Sequence, residues 1–531
     1  MPGDGYYNTD AFSFSSAELS EGSKLFQTLV HELGHAIGMA HPHDTGMGST
    51  IIPGVIGGFN TGTDNQNNAI NTIMSYNDPV NATWLNGHTS GPMAFDIAAI
   101  QTMYGANTNF NNEDTLYTFD NNSDWSCIWD TGGNDTIQYT GTGGATIDLR
   151  SATLREGDVN AGGYHSTANA AGARGGFTIA ADYTRALADE GGQAGVIIEN
   201  AIGNNGHDTL IGNSVDNTII GMGQNDAIDG GFGFDTSVYQ GSADGAQITL
   251  HYDYGSSDYS DYGSNINHLF LPSSSVTVAD IDNSGSNAFN FGTDTLTSIE
   301  QLRFDDMTIT FDLQNVGQKL MAKITGIVDM KELGRDLIDT ICDPLAKIFI
   351  GYTGRVPQHA EMMELLEKTA NGMSLDEISK DLYQAGLKDS EHSFFNEKMS
   401  TKELVSAAFG NVLEMSGRTA PSDKEIALWS ARIDKGAISK ETLIKELIMD
   451  AQKYENSKSM GWVTDLLDNK ADVAVYHALE LGIDYNSQKL GYEQTTDILD
   501  AVSFDSTAEA IELIGVDIKV VYDHEYSLLA A

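Results

Sequence analysis

The sequence predicts a multidomain α+β protein, and three observations carry that prediction. A histidine-rich motif lies near the start, a glycine- and aspartate-rich period of nine residues lies in the middle, and the pattern turns to helical amphipathicity beyond residue 313. At 531 residues the chain is too long for one hydrophobic core, and two to four domains are expected. The boundaries fall at 1–108, 109–312 and 313–531, where composition and period change.

The first element is HELGHAIGMAH at 31–41. On an α-helix His31 and His35 lie one turn apart on the same face, so both rings can meet one ion. Glu32 projects beside them, where it can take a proton from an attacking water without filling a coordination position. Gly38 permits the positive φ with which the chain turns back, so that His41 supplies a third nitrogen from the loop, and Pro42 stops the helix. Three neutral nitrogens with a fourth position left open suit zinc and metal-assisted hydrolysis. His43, two residues further on, is expected to face solvent.

Met74 and Tyr76 follow in NTIMSYND, where the pattern HExxHxxGxxH followed by a methionine turn places them. With these residues, GPMAFDIAAIQTMYGAN at 91–107, WDTGGNDTI at 129–137 and IIENAIGNNGHDTLIGN at 197–213, the chain resembles the serralysin family of secreted bacterial metzincins over residues 3 to 240. That resemblance implies one catalytic zinc held by His31, His35 and His41, with Glu32 as base. Met74 would form the floor under the metal, and Tyr76 would bind zinc at rest and then steady the oxyanion. It also implies an N-terminally incomplete catalytic domain, because GDGYYN at 3–8 matches only the last strand before the helix. The function so implied is a secreted, calcium-stabilised zinc metalloendopeptidase acting on proteins and peptides. The alternative is a non-catalytic calcium-binding surface or matrix protein that carries a truncated peptidase remnant.

The second element is GNNGHDTLI, GNSVDNTII, GMGQNDAID, GGFGFDTSV at 203–238. This resembles the RTX repeat, in which six residues form a turn and three a short strand of a parallel β-roll. Leu210, Ile219 and Ile228 take the inward-pointing eighth position. Asp208, Asp226 and Asp235 hold the sixth, and the second repeat has Asn217 there with Asp216 beside it. The earlier half-repeat TGGNDTIQY adds Asp135. These carboxylates, with turn positions Gly206, Gly223, Gly231 and Gly233, would bind several structural calcium ions through hard oxygen ligands. Residues 140–202 should lead into the roll as strands and turns. The alternation from 276 to 313 predicts antiparallel strands that form a β cap over its open end.

The third element is an all-α region. GYTGRVPQHAEMMELLEKTANGMSLDEISKDL and LEMSGRTAPSDKEIALWSARIDKGAISKETLIKEL form a weak internal repeat that resembles the DUF4214 helical repeat of exported proteins. Its Arg355 and Arg418 read as surface or capping residues, with a glycan or partner site as the alternative.

A formal charge of −47, from 75 acidic against 28 basic residues, argues against nucleic-acid partners, since phosphate contacts need lysine and arginine. The imbalance concentrates in the first part: 38 acidic and 6 basic residues up to 312, against 37 and 22 beyond. Two cysteines, Cys127 and Cys342, make no disulfide framework, so calcium is the expected source of rigidity. No apolar run long enough to span a membrane is present, and MPGDGYYNTD does not read as a signal peptide. Chains with glycine-rich calcium repeats resemble substrates of type I secretion machinery, with which the tail DIKVVYDHEYSLLAA is compatible.

Overall fold

The computed structural model describes residues 15, 19–45, 49–78, 87–170, 172–181, 196–252, 275–280, 291–310, 338–389, 392–414 and 420–522. GDGYYN, all of 182–195, the segment 281–290, the stretch 311–337, Arg418 and the end of the tail lie outside them. The class is mixed α+β. The described residues fall into two compact units, one drawn from Met1–Gln240 and Ser275–Ile299, the other from Gly241–Ser274 and Glu300–Ala531.

The first unit opens with α1 (Lys24–Ala36), capped by Ser23, whose side chain accepts from the Phe26 amide at 3.1 Å. A largely irregular stretch leads to α2 (Ala94–Tyr104). Short strands then alternate between two sheets. In one, β1 (Leu116–Phe119), β3 (Thr136–Tyr139), β7 (Asn200–Ile202), β9 (Thr218–Ile220) and β11 (Thr236–Val238) run parallel in that order. In the other, β4 (Ala145–Asp148), β8 (Thr209–Ile211), β10 (Ala227–Asp229) and β14 (Thr293–Thr297) are also parallel. Antiparallel β5 (Ser166–Ala168) and β6 (Gly176–Ile179) extend this second sheet to β2 (Trp125–Ile128).

Successive nine-residue repeats therefore alternate between sheets, and each strand pairs with the one two repeats away, as Leu210 does with Ile228. A three-residue strand sends its middle side chain opposite to its neighbours. Leu210, Ile219 and Ile228 accordingly point inward and are almost fully buried.

The 276–313 region departs in one respect from purely antiparallel strands. β13 (Ser275–Asp280) does run antiparallel to β14, and β15 (Gln301–Arg303) to β16 (Met307–Thr310). But β14 also lies parallel to β10, with Leu296 opposite Ile228 and fully buried, so 292–297 continues the stack by one more rung. The physical reason is local: Gly292, Asp294 and Leu296 reproduce the glycine, aspartate and aliphatic phase of the repeats.

The second unit is largely helical. Its core packs Tyr352, Phe395, Val405, Phe409, Trp429, Ile444 and Leu467. The internal repeat appears as helix pairs, His359–Ala370 with Leu375–Lys388, and Asp423–Asp434 with Leu443–Ala451. Gly372 and Gly436, both at positive φ, turn between them. Arg355 is half-buried and makes a bidentate ion pair with Glu361 at the start of the first pair. No helix among the described residues is long and apolar enough to cross a membrane.

Candidate metal centre

His31 and His35 sit one turn apart on α1, with ring centroids 4.9 Å from each other. The helix ends at Ala36, and Gly38, at φ +105°, reverses the chain while the Met39 amide bonds back to the Gly34 carbonyl at 3.0 Å. This turn delivers His41. Its Nε2 lies 3.2 Å from that of His31 and 3.0 Å from that of His35.

The other nitrogen of each ring decides what these contacts mean. His31 Nδ1 is 2.8 Å from the Ile73 carbonyl, and His35 Nδ1 is 2.9 Å from the Met39 carbonyl. His41 Nδ1 is 2.6 Å from Asp44 Oδ2. A carbonyl or carboxylate accepts only, so each Nδ1 carries the proton and each Nε2 presents a lone pair. Three lone pairs aimed at one another across about 3 Å repel unless a cation sits between them. The donor set therefore fits a divalent metal. Burial, followed by the neighbouring imidazoles, holds the His31 pKa below its ordinary value. This keeps the ring neutral and able to ligate.

Met74 is buried beneath α1. A Cβ at Gly34 would lie 2.6 Å from Met74 Sδ and 2.7 Å from Met39 Cε, so glycine lets the helix settle on this sulfur-lined floor without displacing either methionine side chain. Tyr76 lies at the rim, 45% exposed, its ring centroid 5.7 Å from that of His31 and 4.5 Å from that of His41. Its pKa is raised by partial burial and then by Asp44 and Glu32, so the phenol stays protonated and can donate. Glu32 is exposed on α1, where its charge favours protonation of His31.

His43 does not face solvent. It stacks on His41 at 5.1 Å and lies against Tyr76 and the backbone of Gly58, because the turn after Pro42 folds it inward. A cleft of about 1450 Å³ opens beside His35 and His41, and its walls include Ile51, Thr63, Phe95, Met103 and Arg155.

The remaining candidate residues lie apart from the imidazoles, in the strand stack. Asp208 accepts from the Ala145 amide at 2.5 Å, Asp226 from the Asp208 amide at 2.8 Å, and Asp294 from the Asp226 amide at 2.8 Å. In the other column Asp135 accepts from Thr115, Glu199 from Asp135, and Asp235 from Asn217. Gly231 and Gly233, both at positive φ, sit against the backbone of Asn213 and Val215, and Gly206 against Gly143. The Gly223 amide bonds to the Asn204 carbonyl at 3.3 Å.

Burial pushes these carboxyls up, Asp226 to about 8, Asp135 and Asp294 to about 7, and Asp208 to about 6. For Asp226 the nearby Asp294 and Asp208 add to the effect. The Oδ2 atoms of Asp135 and Asp226 are buried with no hydrogen-bond partner.

Sequence reading missed Gly34, Asp44, Asp96, Glu199 and Asp294. Asp96 carried a signal, an acidic residue at the third position of a helix, and so did Asp294, with its G-x-D-x-L spacing. Glu199 and Asp44 carried none, since their partners are set by the turn of the chain.

No protein-family model matches the chain. A serralysin of Photorhabdus luminescens is 32% identical over 230 residues, covering 40% of this chain and 41% of that protein. Metallopeptidase AprA of Pseudomonas marginalis is 33% identical over 213 residues, covering 36% and 38%. Serralysin G of Dickeya chrysanthemi is 30% identical over 240 residues, covering 41% and 42%. The chain thus spans about two-fifths of the length of the curated relatives it matches. Over that shared part, which contributes 40% of its own length, it is a homologue of the serralysin-type metalloproteases.

Proposed function

We propose that this chain is a secreted, calcium-stabilised zinc metalloendopeptidase that hydrolyses peptide bonds in proteins. The observation that carries the reading is the convergence of the three Nε2 atoms while every Nδ1 is held by an acceptor. His31, His35 and His41 hold the zinc. Zinc bound there supplies Lewis acidity to the scissile carbonyl and to the attacking water. Glu32 takes the proton of that water and hands it to the leaving amine. The Tyr76 phenol donates to the oxyanion, and Met74 keeps the floor of the site apolar.

In the same reading, Asp135, Asp208, Asp226 and Asp235 hold calcium between the coils of an RTX roll, together with the turns at Gly206, Gly223, Gly231 and Gly233. The unpartnered, buried Oδ2 atoms of Asp135 and Asp226 support it. Millimolar calcium outside the cell would complete the roll after export by type I secretion machinery, and the helical repeat resembles those of other exported chains.

Glu32→Ala tests the assignment. The variant is expected to retain one zinc per chain by metal analysis and to lose casein and peptide hydrolysis, whereas wild-type turnover in it refutes the role of Glu32. A zinc-loaded wild type that cleaves nothing favours the non-catalytic calcium-binding alternative.

A further inference from the structure

Asp96 lies near the start of α2 and belongs to none of the groups discussed as ligand, base or oxyanion donor. It is fully buried, and its two oxygens accept three hydrogen bonds. Thr72 Oγ1 donates to Oδ1 at 2.6 Å, and the Ile73 and Met93 amides donate to Oδ2 at 2.7 and 2.8 Å. Thr72 Oγ1 in turn accepts from the Met74 amide at 3.1 Å, so the carboxylate and this hydroxyl together gather the backbone of 72–74. The carbonyl of Ile73 is the acceptor that holds His31 Nδ1. The Ile73–Met74 peptide, whose carbonyl meets His31 and whose N–H donates to the Thr72 hydroxyl, is therefore linked through that hydroxyl to the buried carboxylate.

We propose that Asp96 is a positioning residue of the metal centre, fixing the orientation and tautomer of His31 through the Ile73 peptide and the turn that carries Met74. The proposal rests on the metal-site reading. Its physical basis is twofold. A buried carboxylate satisfied by three donors has one rotamer, so the 72–74 backbone it clamps has one orientation. The carboxylate also draws the Thr72 O–H, which makes Thr72 Oγ1 a better acceptor for the Met74 N–H and so polarises the Ile73 carbonyl of the same peptide, strengthening the bond from His31 and making Nε2 a better donor to metal. Asparagine is nearly isosteric but has one acceptor oxygen instead of two. With its oxygen on the Ile73 and Met93 amides, its NH2 must donate to the Thr72 hydroxyl, which reverses that bond and removes the negative charge from the relay.

The test uses the full chain and two probes, zinc and cobalt(II). Zinc affinity is measured by competition with a chromophoric chelator, and the ligand field by the visible spectrum of the cobalt form. Asp96→Asn is expected to weaken zinc binding about 10- to 100-fold, as other removals of ligand-orienting groups do, and to shift the cobalt bands. Thr72→Val, which keeps the charge and both amide bonds but removes the hydroxyl between the carboxylate and the Met74 amide, should weaken binding by several-fold and decides the matter if Asp96→Asn does not fold. Folding is read from circular dichroism of the calcium-loaded chain. Affinity and cobalt spectrum both unchanged in a folded variant overturn the role of Asp96. A wild type that binds neither metal overturns instead the metal-centre reading.

Discussion

His41 is the proposed ligand with the least regular backbone support, since it follows a glycine turn rather than lying on α1, and it has the only carboxylate anchor of the three imidazoles. Asp44→Ala leaves its Nδ1–H without that acceptor. Zinc affinity is expected to fall about tenfold or more, measured by chelator competition, while the fold of the calcium-loaded chain is unchanged. Gly34 poses the opposite constraint. A methyl group there would meet Met74 Sδ and Met39 Cε, the ends of flexible side chains. Gly34→Ala is therefore expected to displace both methionines while its gain in helix propensity keeps the net change in stability within about 1 kcal/mol, read from urea unfolding. The imidazole triad and Gly38 were legible in the sequence because helical period and turn chemistry are local properties. Gly34 and the contacts of Asp96 beyond its helix cap were not, since they involve groups that tertiary folding brings together, Asp96 meeting Ile73 across 23 positions. The partner of Asp44 is three residues away but is set by an irregular turn with no period to read.

At the scale of the element, the coil of short strands rests on a thin core and on buried carboxylates. Ile219→Ala removes a fully buried inward side chain, and a loss of about 2–5 kcal/mol is expected, read as a higher calcium midpoint for the circular dichroism transition. The acidic columns also set a pH dependence. Asp226, Asp135, Asp294 and Asp208 have pKa values of about 6 to 8 in the folded coil against 3.8 for a free carboxyl. Between those limits the folded state binds more protons than the unfolded one, so stability falls as pH rises. The coil of chelated protein is therefore expected to show a melting transition at pH 5 and to be already unfolded near pH 8. Calcium requires the ionised carboxylates, so its addition near pH 7 should release protons into a weakly buffered solution and erase the trend. The repeats themselves could be read from their period of nine. The rung at 292–297 was hidden because a long intervening stretch separates it from the coil it joins, and only pairing with β10 exposes its phase.

At the scale of the molecule, two units of different composition share one chain. In the proposed reading the acidic, strand-rich unit depends on calcium, whereas the helical unit carries its own apolar core and ion pairs such as Lys445 with Asp376 and Arg355 with Glu361. Chelation of the intact chain should abolish the strand contribution to circular dichroism and leave the helical minimum at 222 nm. Calorimetry should then show two transitions in calcium and one without it. A single cooperative loss of both signals would contradict this independence. Finally, the carboxylate ladder has a direction. Each acid serves the amide of a coil that precedes it in the chain, so Asp294 supports Asp226, which supports Asp208, which supports Ala145. Damage should therefore travel upstream: loss of one side chain orphans a backbone group already laid down, and later coils keep their own bonds. Growth of the stack is in this sense retrospective, each turn ratified by a residue that has yet to arrive.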